Sequence, residues 1–224
     1  MHESVGVGDG LAVVHLFCAR TPDTDDAAAL SAIKQATESG AQVVTVAVLG
    51  HKAQLCFMGL HADAWALRDL QTGLDRAGLD IVDSYVSITE LSEYALGLPA
   101  EMAEMRLNPK LPPPGKPAWC FYPMTKRRVV GQNWYELEFD QRKELMYEHG
   151  ASGRRFAGRI VQLVTASTGL DDWEWGVTLF GEDISALKET VYTMRYDRAS
   201  AAYAEFGPFV TGLAGPVDEI LARV

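Results

Sequence analysis

The sequence lacks a long apolar run, an excess of basic residues and a signal-peptide pattern. No stretch approaches the roughly 20 apolar residues of a membrane-spanning helix, so no membrane span is predicted. With 30 acidic against 20 basic residues, the formal net charge is −10, which disfavours nucleic acid as a partner because phosphate binding depends on lysine and arginine. The opening segment MHESVGVGDG has neither a basic nor an apolar signal-peptide region, so we expect a cytoplasmic protein.

Cysteine is also scarce. Cys18, Cys56 and Cys120 are an odd number without CxxC spacing, and each lies in an apolar run. This pattern predicts reduced, buried side chains rather than disulfides or a metal motif. At 224 residues and 48% hydrophobic content, the chain is long enough to form a core without such cross-links.

Residues 1–94 follow the order strand, helix, strand, strand, helix, strand. Apolar runs such as LAVVHLFCA and AQVVTVAVLG are typical of buried strands, and the two helical segments between strands end at Gly40 and Gly78. This order predicts a ferredoxin-like unit, which has an antiparallel sheet with helices on one face.

Residues 95–117 interrupt this pattern. Six of the ten prolines fall here, and because proline removes backbone donors, the segment is predicted to be a linker along the surface. Residues 118–224 then repeat the order, with one helix expected to end at Gly150 and another to be capped by Asp183. The sequence therefore predicts an α+β fold of two tandem ferredoxin-like units, alike in element order but not in residues.

The second half carries a histidine that has two interpretations. His149 lies three and four residues after Met146 and Leu145, on the apolar side of a helix and just before Gly150. It is either a helix C-terminal histidine favoured by the helix dipole, or an axial ligand to haem iron that a rigid helix directs into an apolar cavity. The pattern by itself leaves both open.

A tyrosine and a lysine share one strand face. Tyr122, Met124 and Lys126 alternate onto the same side of the strand in FYPMTKRR. They form either an exposed sheet edge or a site in which the tyrosine gives up an electron and the lysine holds a carboxylate. Gln162 lies mid-strand among apolar residues, where we expect its amide to have a partner, either backbone or a ligand.

Two groups of polar residues follow later in the chain. Arg195 and Ser200 lie in MRYDRAS after a helix, where they either bind anionic oxygens or cap a helix. Asp171, Asp172 and Glu174 lie between two strands, and this position predicts a turn with a solvated face.

Five segments together resemble the coproheme decarboxylases of the chlorite dismutase superfamily, particularly the branch found in high-GC Gram-positive bacteria. The resemblance covers about residues 85–215 and rests on FYPMTKRR, QNWYELEF, LMYEHGASGRRFAGRIVQLVTAS, GLDDWEWGVTLF and MRYDRASAAYAEFGPF. It implies that the two ferredoxin-like units form a dimeric α/β barrel within one subunit, that the subunits assemble as a homopentamer, and that the second unit, 118–224, binds the porphyrin.

The resemblance also implies an activity. Such enzymes use hydrogen peroxide to convert iron coproporphyrin III (coproheme) to haem b, with loss of two propionates as carbon dioxide, in the last step of coproporphyrin-dependent haem biosynthesis. His149 matches the iron ligand, Tyr122 the radical-forming tyrosine and Lys126 the lysine that positions the reactive propionate. A transient contact with the iron-inserting chelatase is a further expectation.

Other residues complete the site that the resemblance implies. Gln162 matches the distal glutamine, and Arg195 and Ser200 match polar residues near the propionates. Because four propionates bring about four negative charges to an acidic protein, Arg195 and Arg106 are expected to offset them together with the lysine. Met124 is expected to line the substrate pocket. The alternatives are a non-catalytic haem carrier or sensor and a generic haem peroxidase.

Two further expectations concern the distal side of the porphyrin, the side opposite the iron-binding histidine. A neutral Gln162 makes chlorite a poor substrate, because chlorite dismutases are expected to hold the oxychlorine anion with an arginine at this position. Asn108 lies where a base for peroxide would be sought, and an asparagine cannot take up a proton. We therefore expect a reaction that is slow at neutral pH and faster in alkaline buffer.

Overall fold

The structure is a computed structural model that describes residues 4–95 and 97–224. The first three residues of the predicted N-terminal unit and residue 96 of the predicted linker lie outside the described residues. In the N-terminal half the elements are β1 (Ala12–Arg20), α1 (Asp26–Glu38), β2 (Gln42–Leu49), β3 (Leu55–His61), α2 (Ala64–Arg76) and β4 (Leu79–Ile88). The predicted order of elements is confirmed.

Local signals explain where these helices begin and end. Helix α1 starts after Asp25, whose carboxylate accepts hydrogen bonds from two backbone N–H groups of the first turn. Gly40 and Gly78 have positive φ angles of 103° and 78°, which glycine adopts without the steric cost of a Cβ. The helix ends predicted at these two glycines are therefore confirmed.

The proline-rich segment holds one short helix, α3 (Ala100–Leu107), which has no buried residue. The side chain of Gln42 on β2 binds the segment through two hydrogen bonds. It donates to the carbonyl of Pro109 at 2.8 Å and accepts from the N–H of Leu111 at 2.7 Å. The segment thus lies along the surface, as its composition predicts.

The C-terminal half repeats the order with small additions. Its elements are β5 (Ala118–Lys126), β6 (Arg128–Val129), β7 (Gln132–Asn133), α4 (Phe139–Arg154), β8 (Ile160–Ala166), β9 (Trp175–Gly181), α5 (Ile184–Met194), α6 (Arg198–Tyr203), β10 (Ala204–Phe206), β11 (Val210–Gly215) and α7 (Val217–Leu221). Asp183 caps α5 by accepting from the N–H of Ala186 at 2.7 Å, so this predicted cap is confirmed.

The predicted end of α4 at Gly150 is wrong. The helix continues to Arg154, because a glycine inside a helix costs only about 1 kcal/mol relative to alanine and packing against α5 and α6 outweighs that cost. His149 therefore lies inside the helix, five residues before its end. The interpretation of His149 as a dipole-stabilised C-terminal histidine is wrong for the same reason.

The sheet closes into one barrel. Its strand order is β10-β5-β11-β2-β3-β1-β4-β8-β9, and β9 pairs again with β5. Each half contributes the four-strand order of a ferredoxin-like unit, β4-β1-β3-β2 and β11-β5-β9-β8, and the pairs β2–β11 and β4–β8 join them. The predicted α+β fold with a barrel inside one subunit is confirmed, whereas the boundaries at 94/95 and 117/118 stay a prediction.

The barrel interior is apolar and the helices cover its outer face. Phe57, Leu16 and Leu70 belong to the core between β-strands and helices of the first half, whereas Trp119 and Phe180 fill the interior. All three cysteines are buried and free, as predicted. Among residues 4–95 and 97–224, no helix has the length and apolar character needed to cross a membrane.

His15 is a fully buried titratable group inside the barrel. Its Nε2 lies 3.0 Å from Thr178 Oγ1, and its ring centroid is 4.2 Å from that of Phe121. Within the described part of the chain, its Nδ1 has no hydrogen-bond partner. Burial lowers the pKa of His15 to about 3 from the ordinary 6.5, so the ring is neutral in the folded protein.

This burial predicts a loss of stability in mild acid. Below pH 6.5 the unfolded chain binds a proton that folded His15 does not, so the free energy of unfolding falls as pH falls, by about 2 kcal/mol between pH 7 and pH 5 from this group. His15→Asn removes the titration, and its unfolding free energy should change less over this interval in denaturant titrations. Equal pH dependence in the two proteins would contradict the prediction.

Candidate active site

Strand β5 directs two sets of side chains to opposite sides of the sheet. Trp119 and Phe121 face the barrel interior, whereas Tyr122 and Met124 pack on the side that α5 covers. Lys126 follows on this second side by alternation. Tyr122 and Lys126 are both buried, so the interpretation of these residues as an exposed edge is wrong.

Tyr122 lies in an aromatic group next to an arginine. Its ring stacks on Phe209 with centroids 4.4 Å apart and meets Phe206 edge-on at 5.7 Å. The guanidinium carbon of Arg195 is 5.7 Å from the centroid of Phe206. Burial raises the pKa of Tyr122 well above its usual value, and Arg195 offsets this only in part. The phenol therefore keeps its O–H at any physiological pH.

Lys126 is a buried cation with an aromatic partner. Its Nζ lies 4.2 Å from the ring centroid of Trp134, which is itself buried. Burial lowers the pKa of Lys126 to about 8, although Asp197 and Glu174 favour the charged form. A carboxylate brought to this ammonium group would be bound strongly, because both charges would then be paired away from water.

Glu174 is buried, although its position in the sequence predicts a solvated turn. The predicted solvated turn is correct for exposed Asp172, but Glu174 is 5% exposed. Its carboxylate accepts from the backbone N–H of Lys126 at 2.8 Å and from the Arg128 guanidinium. Burial alone would raise the pKa of Glu174, yet these donors hold it below its usual value. The residue fixes the end of β5, a role that its position between two strands did not indicate.

His149 is held by a carboxylate. Its Nδ1 lies 3.0 Å from Oδ2 of Asp197, whose side chain is fully buried, and 3.3 Å from Oγ of Ser200. Ser200 in turn donates its hydroxyl to Asp197 Oδ2 at 3.1 Å and its backbone N–H to Oδ1 at 2.9 Å. With Nδ1 donating to Asp197, the lone pair is on Nε2, which suits this nitrogen to bind a metal.

The pKa of Asp197 reflects this arrangement. Burial alone would raise it, but the hydrogen bonds from His149 and Ser200 outweigh burial and hold the pKa of Asp197 below its usual value. Asp197 also caps α6, so the interpretation of Ser200 as a helix cap is wrong: it lies inside that helix. Sequence reasoning missed Asp197, although an aspartate opening a helix in MRYDRAS is itself a cap signal.

Helix α4 and strand β8 both leave apolar surface uncovered. None of the sixteen residues of α4 is buried, although the helix packs against α5 and α6 and leads into β8. On β8, the register aligns Gln162 with Leu179 of β9 and Val164 with Val177, on the same face as Tyr122. Val164 is 43% exposed.

Of the two partners expected for the Gln162 amide, backbone or a ligand, the described part of the structure does not provide the backbone one. The residue is exposed and its side chain makes no hydrogen bond within the described residues. An amide in contact with solvent needs no protein partner, because water satisfies it. Gln162 lies on the same face of the sheet as Tyr122, two strands away from β5.

The remaining predicted residues are placed as follows. Arg195 is exposed and occupies the C-cap position of α5. Arg106 is exposed on α3, and within the described residues no hydrogen bond or ion pair joins it to Tyr122 or Lys126. Ser200 directs its one hydroxyl proton to Asp197 rather than to open space.

Two open cavities are lined by residues of α4. One of about 460 Å³ lies between α4 and α6 and is lined by Leu145 and Tyr203, among others. The other, of about 330 Å³, lies between α4 and the end of α5. Neither is lined by Tyr122 or Gln162, so the candidate site, here called the groove, is defined by His149 on α4 and by the Tyr122 face of β5, β9 and β8.

This groove suits a metalloporphyrin. Within the described residues, no group of three histidine, cysteine, aspartate or glutamate side chains could hold a metal ion unaided, whereas a porphyrin supplies four nitrogens and needs one axial ligand from the protein. His149 could supply that ligand through Nε2, and the cations Lys126 and Arg195 could bind the carboxylates of such a group.

Comparison with known proteins identifies the family to which this fold belongs. The family model described as chlorite dismutase matches residues 24–214. A solved structure of a novel heme-binding protein from Thermus thermophilus is 33% identical, with a TM-score of 0.83 over 98% of this chain and 96% of that one.

Chlorite dismutase from Candidatus Nitrospira defluvii in complex with imidazole has a similar fold. It is 18% identical, with a TM-score of 0.76 over 97% of this chain and 96% of that chain. The chain therefore belongs to the chlorite dismutase family, whose members are haem-dependent oxidoreductases.

Proposed function

We propose that this protein is a coproheme decarboxylase: with hydrogen peroxide it converts coproheme to haem b, in the last step of coproporphyrin-dependent haem biosynthesis. The observation that carries the proposal is the pairing of buried Tyr122 with buried Lys126 on one strand face, in the same unit as His149, whose Nδ1 is bound to Asp197. Oxidation of a propionate requires a phenol that can be oxidised and a cation that can bind a carboxylate, and this strand face provides both.

The reaction balances with one peroxide per propionate. Each CH₂–CH₂–COO⁻ group, one H₂O₂ and one proton give a vinyl group, carbon dioxide and two water molecules. Bound coproheme is the substrate, and its iron supplies peroxide cleavage and oxidising power. Tyr122 passes on one oxidising equivalent: it loses its hydroxyl hydrogen, takes a hydrogen atom from the propionate β-carbon and is thereby restored. Loss of a second electron from the propionate releases carbon dioxide.

Lys126 positions the reacting carboxylate. Its Nζ is a buried donor with Trp134 on one side, so a propionate approaching it is held in one place relative to Tyr122. Arg195 and Arg106 are proposed to bind the other propionates, whereas Ser200 already donates its hydroxyl to Asp197. Each charged hydrogen bond contributes roughly 1.5 to 3 kcal/mol.

His149 and Asp197 form the proximal side. Asp197 fixes the tautomer of His149 and increases the electron donation of Nε2 to iron. Gln162 is proposed as the distal residue, with its amide free to donate to peroxide, and Met124 as an apolar contact to the porphyrin edge. The proposed ligands are coproheme, hydrogen peroxide and, as product, haem b.

Two other functions use the same groove. A non-catalytic haem carrier or sensor would bind porphyrin tightly without turnover, and a generic haem peroxidase would consume peroxide while the propionates survive. Both leave the buried Tyr122 and Lys126 without a role. Adding peroxide to the coproheme complex, measuring its consumption and separating the porphyrins by chromatography distinguishes all three. Appearance of haem b supports the decarboxylase, unchanged coproheme with consumption of peroxide supports the peroxidase, and unchanged coproheme without consumption supports the carrier.

The distal side predicts a dependence on pH. Gln162 and Asn108 are amides, and the Asn108 side chain already donates to Glu104 at 3.0 Å, so neither takes up the peroxide proton. At saturating coproheme, the decarboxylation rate should rise with alkaline pH, by up to about tenfold per unit if the peroxide anion is the reactive form. A flat rate between pH 6 and pH 9 would refute this prediction.

The same residue predicts weak activity on chlorite. Gln162 carries no charge to hold an oxychlorine anion, so oxygen release from chlorite by the haem-loaded protein should be slow. Gln162→Arg introduces that charge and should raise the rate roughly tenfold or more. An oxygen electrode measures both proteins, and fast chlorite turnover by the unaltered protein would show that a distal arginine is unnecessary here.

The proposal extends to assembly and location. We propose a cytoplasmic homopentamer that receives coproheme through transient contact with the iron-inserting chelatase. The substrate is a porphyrin rather than a polyanion such as DNA. Cations close to the binding site are therefore enough to offset its negative charge, although the net charge of the protein is −10.

A further inference from the structure

A second pair of contacts lies directly beside the pair formed by His149 and Asp197. Glu148, the preceding residue on α4, accepts from the backbone N–H of Arg198 at 3.0 Å and from its Nε at 2.7 Å. Arg198, the residue after Asp197, also donates Nη2 to Glu144 at 2.9 Å. Two consecutive residues of α4 thus hold two consecutive residues at the start of α6.

Because these contacts are exposed, they contribute little to the global stability of the protein. The side chains of Arg198, Glu148 and Glu144 are 59%, 36% and 73% exposed, and exposed ion pairs typically contribute only about 0 to 1 kcal/mol each. Their geometry is nevertheless specific, because one carboxylate binds both the backbone and the side chain of the same residue. The arrangement restrains where α6 begins relative to α4.

That restraint acts on Asp197, whose backbone joins that of Arg198. The Asp197 carboxylate meets His149 across a gap of 48 residues in sequence, and the register of α6 against α4 decides the length of that hydrogen bond. We propose that Glu148 and Arg198 form a clasp that positions Asp197 against His149, and so determines how strongly His149 binds iron. The clasp rests on the proposed role of His149 as the iron ligand.

The expected consequence concerns the iron–histidine bond. A short Nδ1–H···Oδ2 bond draws the imidazole proton towards Asp197 and makes Nε2 a better donor. Without the clasp, α6 shifts, this bond lengthens and Nε2 donates less. The iron–histidine stretching frequency of the ferrous haem b complex should then fall, and its reduction potential should rise.

The test compares Glu148→Ala and Arg198→Ala with a matched control, Arg159→Ala. Arg159 also binds two carboxylates, Glu182 at 2.8 Å and Glu189 at 2.9 Å, but these contacts do not involve α6. Resonance Raman spectra of the ferrous haem b complexes give the iron–histidine stretch, titration gives haem affinity, and crystal structures of the haem-free variants give the Nδ1–Oδ2 distance.

Glu148→Ala should lengthen that distance beyond hydrogen-bonding range, lower the stretching frequency and weaken haem b binding about threefold to tenfold. This is less than the roughly 10- to 100-fold effect of removing a direct partner of a metal ligand. Because both residues act through one contact, the double variant should be no worse than Glu148→Ala alone. Thermal stability should fall no further than in Arg159→Ala.

The outcomes separate the two proposals. If the unaltered protein shows the iron–histidine stretch and Glu148→Ala keeps the frequency, the affinity and the Nδ1–Oδ2 distance of Arg159→Ala, the clasp is overturned while the ligand assignment stands. If the unaltered protein shows no such stretch, or keeps it in His149→Ala, the ligand assignment fails and the clasp fails with it.

Discussion

Tyr122→Phe should bind coproheme as the unaltered protein does and form almost no haem b. The substitution removes only a hydroxyl from a ring that Phe206 and Phe209 hold by stacking, so the pocket keeps its shape. Without the hydroxyl, no hydrogen atom can be returned from the propionate to the ring. We expect a loss of roughly 10³-fold or more, which corresponds to at least about 4 kcal/mol of transition-state free energy.

A second buried tyrosine provides the control. Tyr85 lies in the barrel interior and shares a hydrogen bond with Ser167, on the other side of the sheet from the groove. Tyr85→Phe also deletes one buried hydroxyl, and it should cost stability but leave the rate of haem b formation near normal. If Tyr122→Phe decarboxylates as fast as Tyr85→Phe, the radical role of Tyr122 is wrong.

His149→Ala should lose the protein's bond to iron while keeping some affinity for the porphyrin. Lys126 and Arg195 still meet the propionates, and the apolar face of β8 and β9 is unaltered. Loss of the axial ligand should lower the decarboxylation rate by about 100-fold or more, since weakening even the partners of a metal ligand costs roughly 10- to 100-fold.

Imidazole makes this prediction specific. Added to His149→Ala, free imidazole can enter the space of the lost side chain, donate to Asp197 and bind iron, and it should restore part of the rate. His51→Ala, which removes an exposed histidine, should behave as the unaltered protein with or without imidazole. A fully active His149→Ala protein would show that another residue is the ligand.

Much of the fold follows from the order and periodicity of apolar residues. Gly40, Gly78 and Asp183 are local signals, and the structure confirms the boundaries predicted from them. Gly150 is also a local signal, but there the packing of α4 against α5 and α6 decides. Local propensity is worth about 1 kcal/mol at such a position, so contacts between elements override it.

The site is predictable as a set of residues but not as a network. Alternation places Tyr122 and Lys126 on one face because it depends only on neighbouring residues. The bond from His149 to Asp197 joins residues 48 positions apart, and the bond from the Lys126 N–H to Glu174 spans the same separation. No periodicity within one element reveals such partners, and for this reason the sequence predicts, wrongly, that Glu174 faces solvent.

The basic run at residues 126–128 is a further case in which contacts seen only in the structure change the interpretation of the sequence. Arg127 and Arg128 extend the basic run after Lys126 and alternate faces, so by sequence at most one of them could join Lys126. In the structure Arg127 pairs with Glu205 at 3.2 Å and Arg128 pairs with Glu174, so their charges are largely offset. Lys126, without an ion pair of its own within the described residues, is the cation of this run best placed for a substrate carboxylate.

Mass spectrometry of the porphyrin during a peroxide titration tests most directly whether this protein decarboxylates two propionates of coproheme to vinyl groups. Aliquots taken after successive additions of hydrogen peroxide should show coproheme, with four propionates, giving way to a three-propionate species and then to haem b, with two. About one peroxide per propionate is required by the balanced reaction. If the porphyrin keeps all four propionates while peroxide is consumed, the account is contradicted.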